Sequence, residues 1–358
     1  MTISAAETYQ THILQGVSRT FALTIPQLPP ELCKVVSNGY LLCRIADTIE
    51  DEPALTAQQK QDFSQQFVHV VAGEAQSQPF SQALCPLLSD STIDAEKDLI
   101  QNTDKVIILT HSFNPQQQAA LLRCVRIMAK GMAQFQQNSS RAGLADLNTM
   151  GLYCYYVAGV VGEMLTQIFC NYSPDIAQHE TELSKLSISV GQALQMTNIL
   201  KDIWDDLQRG ACWLPQDVFQ QYGFDLHNLV PQQHDPAFAE GLGHLIAVAR
   251  AHIHNGLRYT LLIPKHETGI RRFCLWALGM AILTLRNINH QRHFSSGQQV
   301  KISRRSVKAT ILTTNLATRS DNSLKALYYL LTRPLPQEQD VDLDGLWALC
   351  NQDIKDIF

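Results

Sequence analysis

A chain of 358 residues with 45% hydrophobic and 17% charged side chains can bury a large core, and no linker is long or biased enough to divide it, so a single domain is expected. Its 28 basic against 33 acidic residues give a net charge of −5, which leaves no electrostatic footprint for nucleic acid. Nine scattered cysteines, an odd total with no C-x-x-C pair, argue against a disulfide framework and predict reduced thiols in a cytosolic protein.

Helical periodicity dominates, and runs of alternating β-branched residues are almost absent, so the fold class is all-α. The N-terminal stretch has no basic region followed by an apolar core, which predicts no secretory leader. A first helix is expected over residues 5–15. After the breaker PQLPP at 26–30, a long helix should run to Pro53. Further helices are expected at 57–71, 94–110 and 115–136, with loops at 73–81 and 138–143.

Within the long helix, Asp47 and Asp51 lie one turn apart, Glu50 falls between them, and Tyr40 and Arg44 precede them at helical intervals. Residues 148–170 predict an apolar central helix with little bulk at Gly151, Ala158, Gly159 and Gly162. Its length reaches that of a membrane span, but Tyr, Cys, Gln and Glu interrupt it, and burial within protein is expected. The stretch 190–214 then places Gln195, Asn198, Asp202, Asp205 and Asp206 on or near one face of another apolar helix.

Carboxylates a turn apart repel unless a cation lies between them. Such pairs suit magnesium, which takes oxygen ligands and shares them with substrate phosphates. Facing each other across a helical bundle, two such stripes would clamp magnesium and hold a diphosphate. The candidate ligands are Asp47, Glu50, Asp51, Asn198, Asp202 and Asp206. Downstream, His227 and His234 have neither the spacing nor the companions of a zinc site. Helices are expected at 236–262, 267–289, 306–318 and 323–331. A basic loop at 293–305 and an acidic loop at 337–344 lie between and after them, and a short last helix follows.

Four blocks in order carry a resemblance: Ser18-Arg19-Thr20-Phe21, YLLCRIADTIED from Tyr40 to Asp51, YCYYVAGVVG from Tyr153 to Gly162, and QMTNILKDIWDD from Gln195 to Asp206. The chain resembles the squalene and phytoene synthases, which join two prenyl diphosphates head to head. The resemblance implies a single isoprenoid synthase helical bundle around a central cavity, with Mg2+ as cofactor. It implies that Arg19, Arg44 and Lys201 pair with carboxylates or diphosphates, that Tyr40 and Tyr153 lie near the reacting carbons, and that Val157, Ala158, Val161 and Gly162 leave room for a prenyl tail. Ser18, Phe21, Gln195, Asn198 and Phe273 complete the implied substrate site. For the strip of Gly151, Ala158, Gly159 and Gly162 the other reading is close packing of a neighbouring helix, and the two readings are compatible on different faces.

The implied function is squalene synthesis. Two farnesyl diphosphates condense through presqualene diphosphate, which NADPH then reduces. A dehydrosqualene or phytoene synthase without reduction is the alternative, and a non-catalytic assembly factor on the same fold lies outside enzymology. No Rossmann glycine fingerprint is present, so NADPH would bind cationic groups of the basic loop. The resemblance points to Lys301 for that contact, and the loop also offers Arg304 and Arg305. The sequence departs from the family at Ala211, where relatives usually have arginine, and Arg209 is the nearby candidate replacement. Some squalene synthases end in a membrane anchor. None is visible at this C-terminus, and an apolar product leads us to expect peripheral membrane association.

Overall fold

The computed structural model describes every residue except 1, 19, 138–139, 232–234, 339 and 356–358, with the backbone alone at 136–137. Arg19 and His234 therefore lie outside the described residues. No strand occurs among the described residues, where β structure is confined to an isolated bridge between Leu144 and Pro215.

The Thr2 hydroxyl caps α1 (Ile3–Val17), and α2 (Phe21–Thr24) is a single short turn. Pro30 stands at the start of α3 (Pro30–Asp51), where its missing N–H costs nothing. A reciprocal cap between Thr56 and Gln59 begins α4 (Ala57–Ala72). The expected loop at 73–81 is a correction, because α5 (Ser77–Leu84) occupies its second half. Phe80 and Leu84, four apart, bury its inner side, and Pro79 is tolerated in the first turn. The expected single helix at 94–110 is two, α6 (Asp94–Gln101) and α7 (Thr103–Thr110). Asn102 breaks it by turning its side-chain amide back to the Asp98 carbonyl and carboxylate at 2.8 and 3.0 Å. Then come α8 (Pro115–Gln137) and α9 (Leu147–Cys154).

The apolar central helix is also corrected. A π-helical turn at Tyr155–Gly159 separates α9 from α10 (Val160–Tyr172), and the short α11 (Pro174–Ala177) follows. The helix of the second stripe, α12 (Glu180–Gln208), begins ten residues before the expected start and ends before Gly210, whose φ of 88° leaves the right-handed helix. The remaining helices are α13 (Gln216–Gln221), α14 (Pro236–Leu262), α15 (Thr268–His290), α16 (Arg304–Ala317), α17 (Asp321–Thr332) and α18 (Leu343–Asp353). Arg304 and Arg305 thus belong to the first turn of α16 rather than to the loop before it.

The chain forms two compact units, one holding Met1–Gln137 and Glu163–Glu180, the other Asn138–Gly162 and Thr181–Lys355. In the first, Asn38 of α3 donates to the Val106 carbonyl and accepts from Thr110, both at 2.9 Å, so a fully buried amide fixes α3 on α7. In the second, Ser189 of α12 meets His252 at 2.8 Å and Asn255 at 3.0 Å, which registers α12 against α14. Burial pushes the His252 pKa down to about 4, so the ring is neutral in this contact. Arg271, only 1% exposed, donates to the Ile263 and Thr318 carbonyls and to Asp321, tying α15 to the segments around it. By length and composition one described helix, α15, could cross a membrane, but 72% of its apolar window is buried in the protein.

Candidate active site

The first acidic stripe is built on α3. Arg44 lies at its centre, with Nη1 at 3.9 Å from Asp47 and 3.6 Å from Glu96, and Nη2 donating to the Tyr40 hydroxyl at 3.0 Å. The same hydroxyl donates to the Val17 carbonyl, and the Tyr40 ring lies 5.3 Å from that of Phe21. Arg44 is therefore more than a helix salt bridge to Asp47, and its buried Nε has no hydrogen-bond partner among the described residues.

Asp47 is pushed up to about pKa 6. Burial is the main cause, Arg44 opposes it, and Asp51 and Glu96 add repulsion. Glu96 rises for the same reasons, burial first, with Arg44 opposing and Asp51 contributing. Repelling carboxylates held in apolar surroundings are what a hard cation would relieve. Sequence reasoning missed Glu96, because it joins the stripe from α6 through the fold and no motif marks it.

The acidic run after Ile49 divides into different tasks. Asp51 is exposed, whereas Glu50 is buried and its backbone carbonyl accepts from Lys60. Glu52, 1% exposed, takes hydrogen bonds from Ala54, Ser89 and Thr92. Burial alone would raise its pKa, but these bonds lower it, so Glu52 is a structural staple. Ser18 accepts from the Phe21 N–H at 2.9 Å and shapes the turn into α2.

The second stripe lies on α12. Lys201 is 3.0 Å from Asp202, and Arg209 is 2.6 Å from Asp206, so Arg209 supplies a guanidinium near the stripe that Ala211 lacks. The Asp202 pKa is raised by burial, with Lys201 opposing and Asp205 adding to the rise. Gln195 is half-buried and Asn198 exposed. The basic loop reaches this stripe. Trp204 of α12 donates to the Phe294 carbonyl at 2.7 Å, and a Cβ on Gly297 would lie 3.1 Å from the Lys201 carbonyl and 3.3 Å from Asp202 Oδ1. Asn287 holds the next turn through the Val300 carbonyl at 3.1 Å. Lys301 is exposed at the end of that loop, and Arg304 is exposed in the first turn of α16.

Tyr153 is buried, and its ring stacks on Trp213 with centroids 4.1 Å apart and planes 8° from parallel. Trp213 is a second residue that sequence reasoning missed, although it follows the acidic stripe closely. Val157, Ala158, Val161 and Gly162 are half-buried on or just after the π turn. A Cβ at Gly162 would lie 2.3 Å from the Ser187 carbonyl oxygen, and one at Gly191 the same distance from that of Ala158. At Gly162 the place a side chain would take is filled by the Ser187 carbonyl, which is the close helix packing of the other reading. Phe273 is buried on α15.

Among the described residues, no three His, Cys, Asp or Glu side chains gather as a preformed metal cage. The donors are all oxygens, and they come in pairs. That fits magnesium, which binds through one or two carboxylates and completes its shell with water and phosphate.

An all-α fold with two helix-borne carboxylate stripes, each beside its own cations, has the layout of an isoprenoid synthase. A profile described as "Squalene/phytoene synthase" matches residues 14–306. The chain belongs to the squalene/phytoene synthase family. Squalene synthase ERG9 of Saccharomyces cerevisiae is 30% identical over 298 residues, covering 81% of this chain and 63% of the yeast protein. Squalene synthase of Eremothecium gossypii is 27% identical, covering 76% and 60%. The chain thus spans about three fifths of the curated relatives it matches. In fold it is similar to a solved structure described as TcSQS with ligand BPH1237, at TM-score 0.75 and 23% identity over 99% of this chain and 98% of that one. A dehydrosqualene synthase structure follows at TM-score 0.61 and 20% identity, over 91% and 97%.

Proposed function

We propose that the protein is a squalene synthase, a single catalytic domain that condenses two farnesyl diphosphates head to head through presqualene diphosphate and reduces the product with NADPH. Asp47, Asp51, Asp202 and Asp206 would hold magnesium, with Glu50 and Asn198 as further candidates. When bound, the metal supplies positive charge to the departing diphosphate. Arg44, Lys201 and Arg209 add fixed positive charge beside the same carboxylates, which favours ionisation of the allylic carbon–oxygen bond. Arg19 belongs to the proposed diphosphate contacts through its motif alone.

The carbocation that remains must be kept from water. The stacked Tyr153 and Trp213 rings offer an apolar wall with a negative face, and Phe21, Phe273, Val157, Ala158 and Val161 are the proposed lining for the prenyl chains. Gly162 serves packing instead. Tyr153 is the proposed residue for assisting proton removal, with Tyr40 holding Arg44 in place.

The observation that carries the reductive reading is the approach of the basic loop to the second stripe. Trp204 and Gly297 bring the loop from Phe294 to Gly297, shortly before Lys301, against the helix of Asp202, so a nicotinamide dinucleotide held by Lys301 and Arg304 would approach that helix. Lys301→Ala should raise the NADPH concentration needed for half-maximal squalene formation roughly tenfold, the loss of one charge-assisted phosphate contact, and spare formation of the cyclopropyl intermediate. An unchanged NADPH requirement would remove Lys301 from the cofactor site.

A further inference from the structure

The most exposed large apolar side chains among the described residues gather in one part of the chain. Leu312 and Leu316 of α16 are 62% and 80% exposed, and Tyr329 and Leu330 of α17 are both 65% exposed. The next, Ile3 and Ile93, reach 52%. Each pair is one side of an amphipathic helix. Thr310, Thr314 and Ala317 bury the inner side of α16, and Leu324 and Thr332 that of α17. Both helices pack on α15 and on each other, α17 also packs on α14, and the four exposed side chains lie on their outer sides.

Charge separates this segment from the rest. From Lys301 to Arg333 the sequence has seven basic residues and one acidic residue, in a chain whose net charge is −5. The one carboxylate, Asp321, is occupied by Lys265 at 3.1 Å and Arg271 at 2.9 Å. Lys308, Arg319, Lys325 and Arg333 are exposed and have no ion-pair partner among the described residues. Lys325 and Tyr328 also line a recess of about 510 Å³ shared with His254, Leu257 and Leu261 of α14 and with Glu182 of α12, which pairs with Arg258 at 3.4 Å. Within the segment from Lys301 to Arg333, everything after Ser306 lies beyond the family match.

We infer that the outer face of α16 and α17 is a docking surface for an anionic lipid bilayer. Leucines and a tyrosine interleaved with unpaired lysines and arginines match the two attractions a peripheral helix uses, shallow apolar insertion and charge against acidic headgroups. Within this stretch the one carboxylate is paired, and the acidic neighbours beside it, Glu182 and Asp340, lie 3.4 Å from Arg258 and 3.9 Å from His254. The inference goes beyond the proposed activity and does not depend on it, because its readout is binding.

The test is co-sedimentation of the full chain with phosphatidylcholine vesicles, with and without phosphatidylserine, at low and high salt. The protein should pellet with the anionic vesicles, release on adding salt, and bind neutral vesicles at least tenfold more weakly. Replacing Leu312, Leu316, Tyr329 and Leu330 together by serine should abolish binding. Lys308→Glu with Lys325→Glu should weaken it more than tenfold. All six side chains are exposed, so both variants should melt as the wild type does, and a melting curve checks this. Equal binding to neutral and anionic vesicles, or binding that survives the serine variant, would overturn the inference. So would capture of soluble polyglutamate with the same dependence on the four apolar residues, which would assign the face to an acidic polypeptide. A dimer in sedimentation velocity that the serine variant dissolves would assign it to a second copy of the chain.

Discussion

Asp47 shows how one carboxylate can be costly to the fold and useful to the site. Its pKa near 6 means that the folded, metal-free protein binds a proton there more tightly than the unfolded chain, whose aspartates titrate near 3.8. The stability gained from that proton is complete below 3.8 and lost as pH rises through 6. Above that, an ionised Asp47 faces Asp51 and Glu96 with only Arg44 to offset them. Magnesium should therefore raise the melting temperature much more at pH 7.5 than at pH 5, and thermal melts at both values check this. Asp47→Asn should abolish the difference. The same substitution should stabilise the metal-free protein by about 1 kcal/mol while lowering turnover about 100-fold or more, and Asp202→Asn should lower turnover similarly. Unimpaired turnover of either variant at limiting magnesium would remove that residue from the metal site. The spacing of Asp47 and Asp51 was legible in the sequence. Glu96 was not, because its approach to Arg44 depends on how α6 packs. Glu52 was invisible as a staple for the same reason, since its partners Ser89 and Thr92 come from a distant turn.

At the scale of elements, amphipathic period located most long helices within a few residues, missed the first ten residues of α12, and failed where it was short or interrupted. The two turns of α5 carry too few apolar positions to stand out from a loop. The π turn inserts its irregularity into an apolar run whose composition is as good for a plain helix. That turn lies against α12, and two glycines permit the approach. Gly162→Leu should therefore act on folding before it acts on substrate binding. Its Cβ would overlap the Ser187 carbonyl, at a cost of roughly 3 kcal/mol or complete loss of the fold, as read by circular dichroism melting. A stable Gly162→Leu protein with weakened prenyl binding would restore the pocket reading. The basic loop also changed meaning with structure. Its composition suggested a phosphate site, but only the fold ties it to the second stripe through Trp204, Phe294 and Gly297.

For the whole molecule, the family was legible because its motifs are short, ordered and helical, so local spacing carries them. Whether the product is reduced was not legible, because the proposed NADPH contact depends on where a loop with no fingerprint comes to rest. The proposed head-to-head condensation followed by reduction rests on the two acidic stripes, the stacked Tyr153–Trp213 pair and the loop bearing Lys301. The direct test is mass-spectrometric analysis of the products formed from farnesyl diphosphate and magnesium, with and without NADPH. The account predicts that NADPH shifts the product from presqualene diphosphate and its dehydrogenated or hydroxylated derivatives to squalene. Dehydrosqualene or phytoene in equal yield with or without NADPH would contradict it.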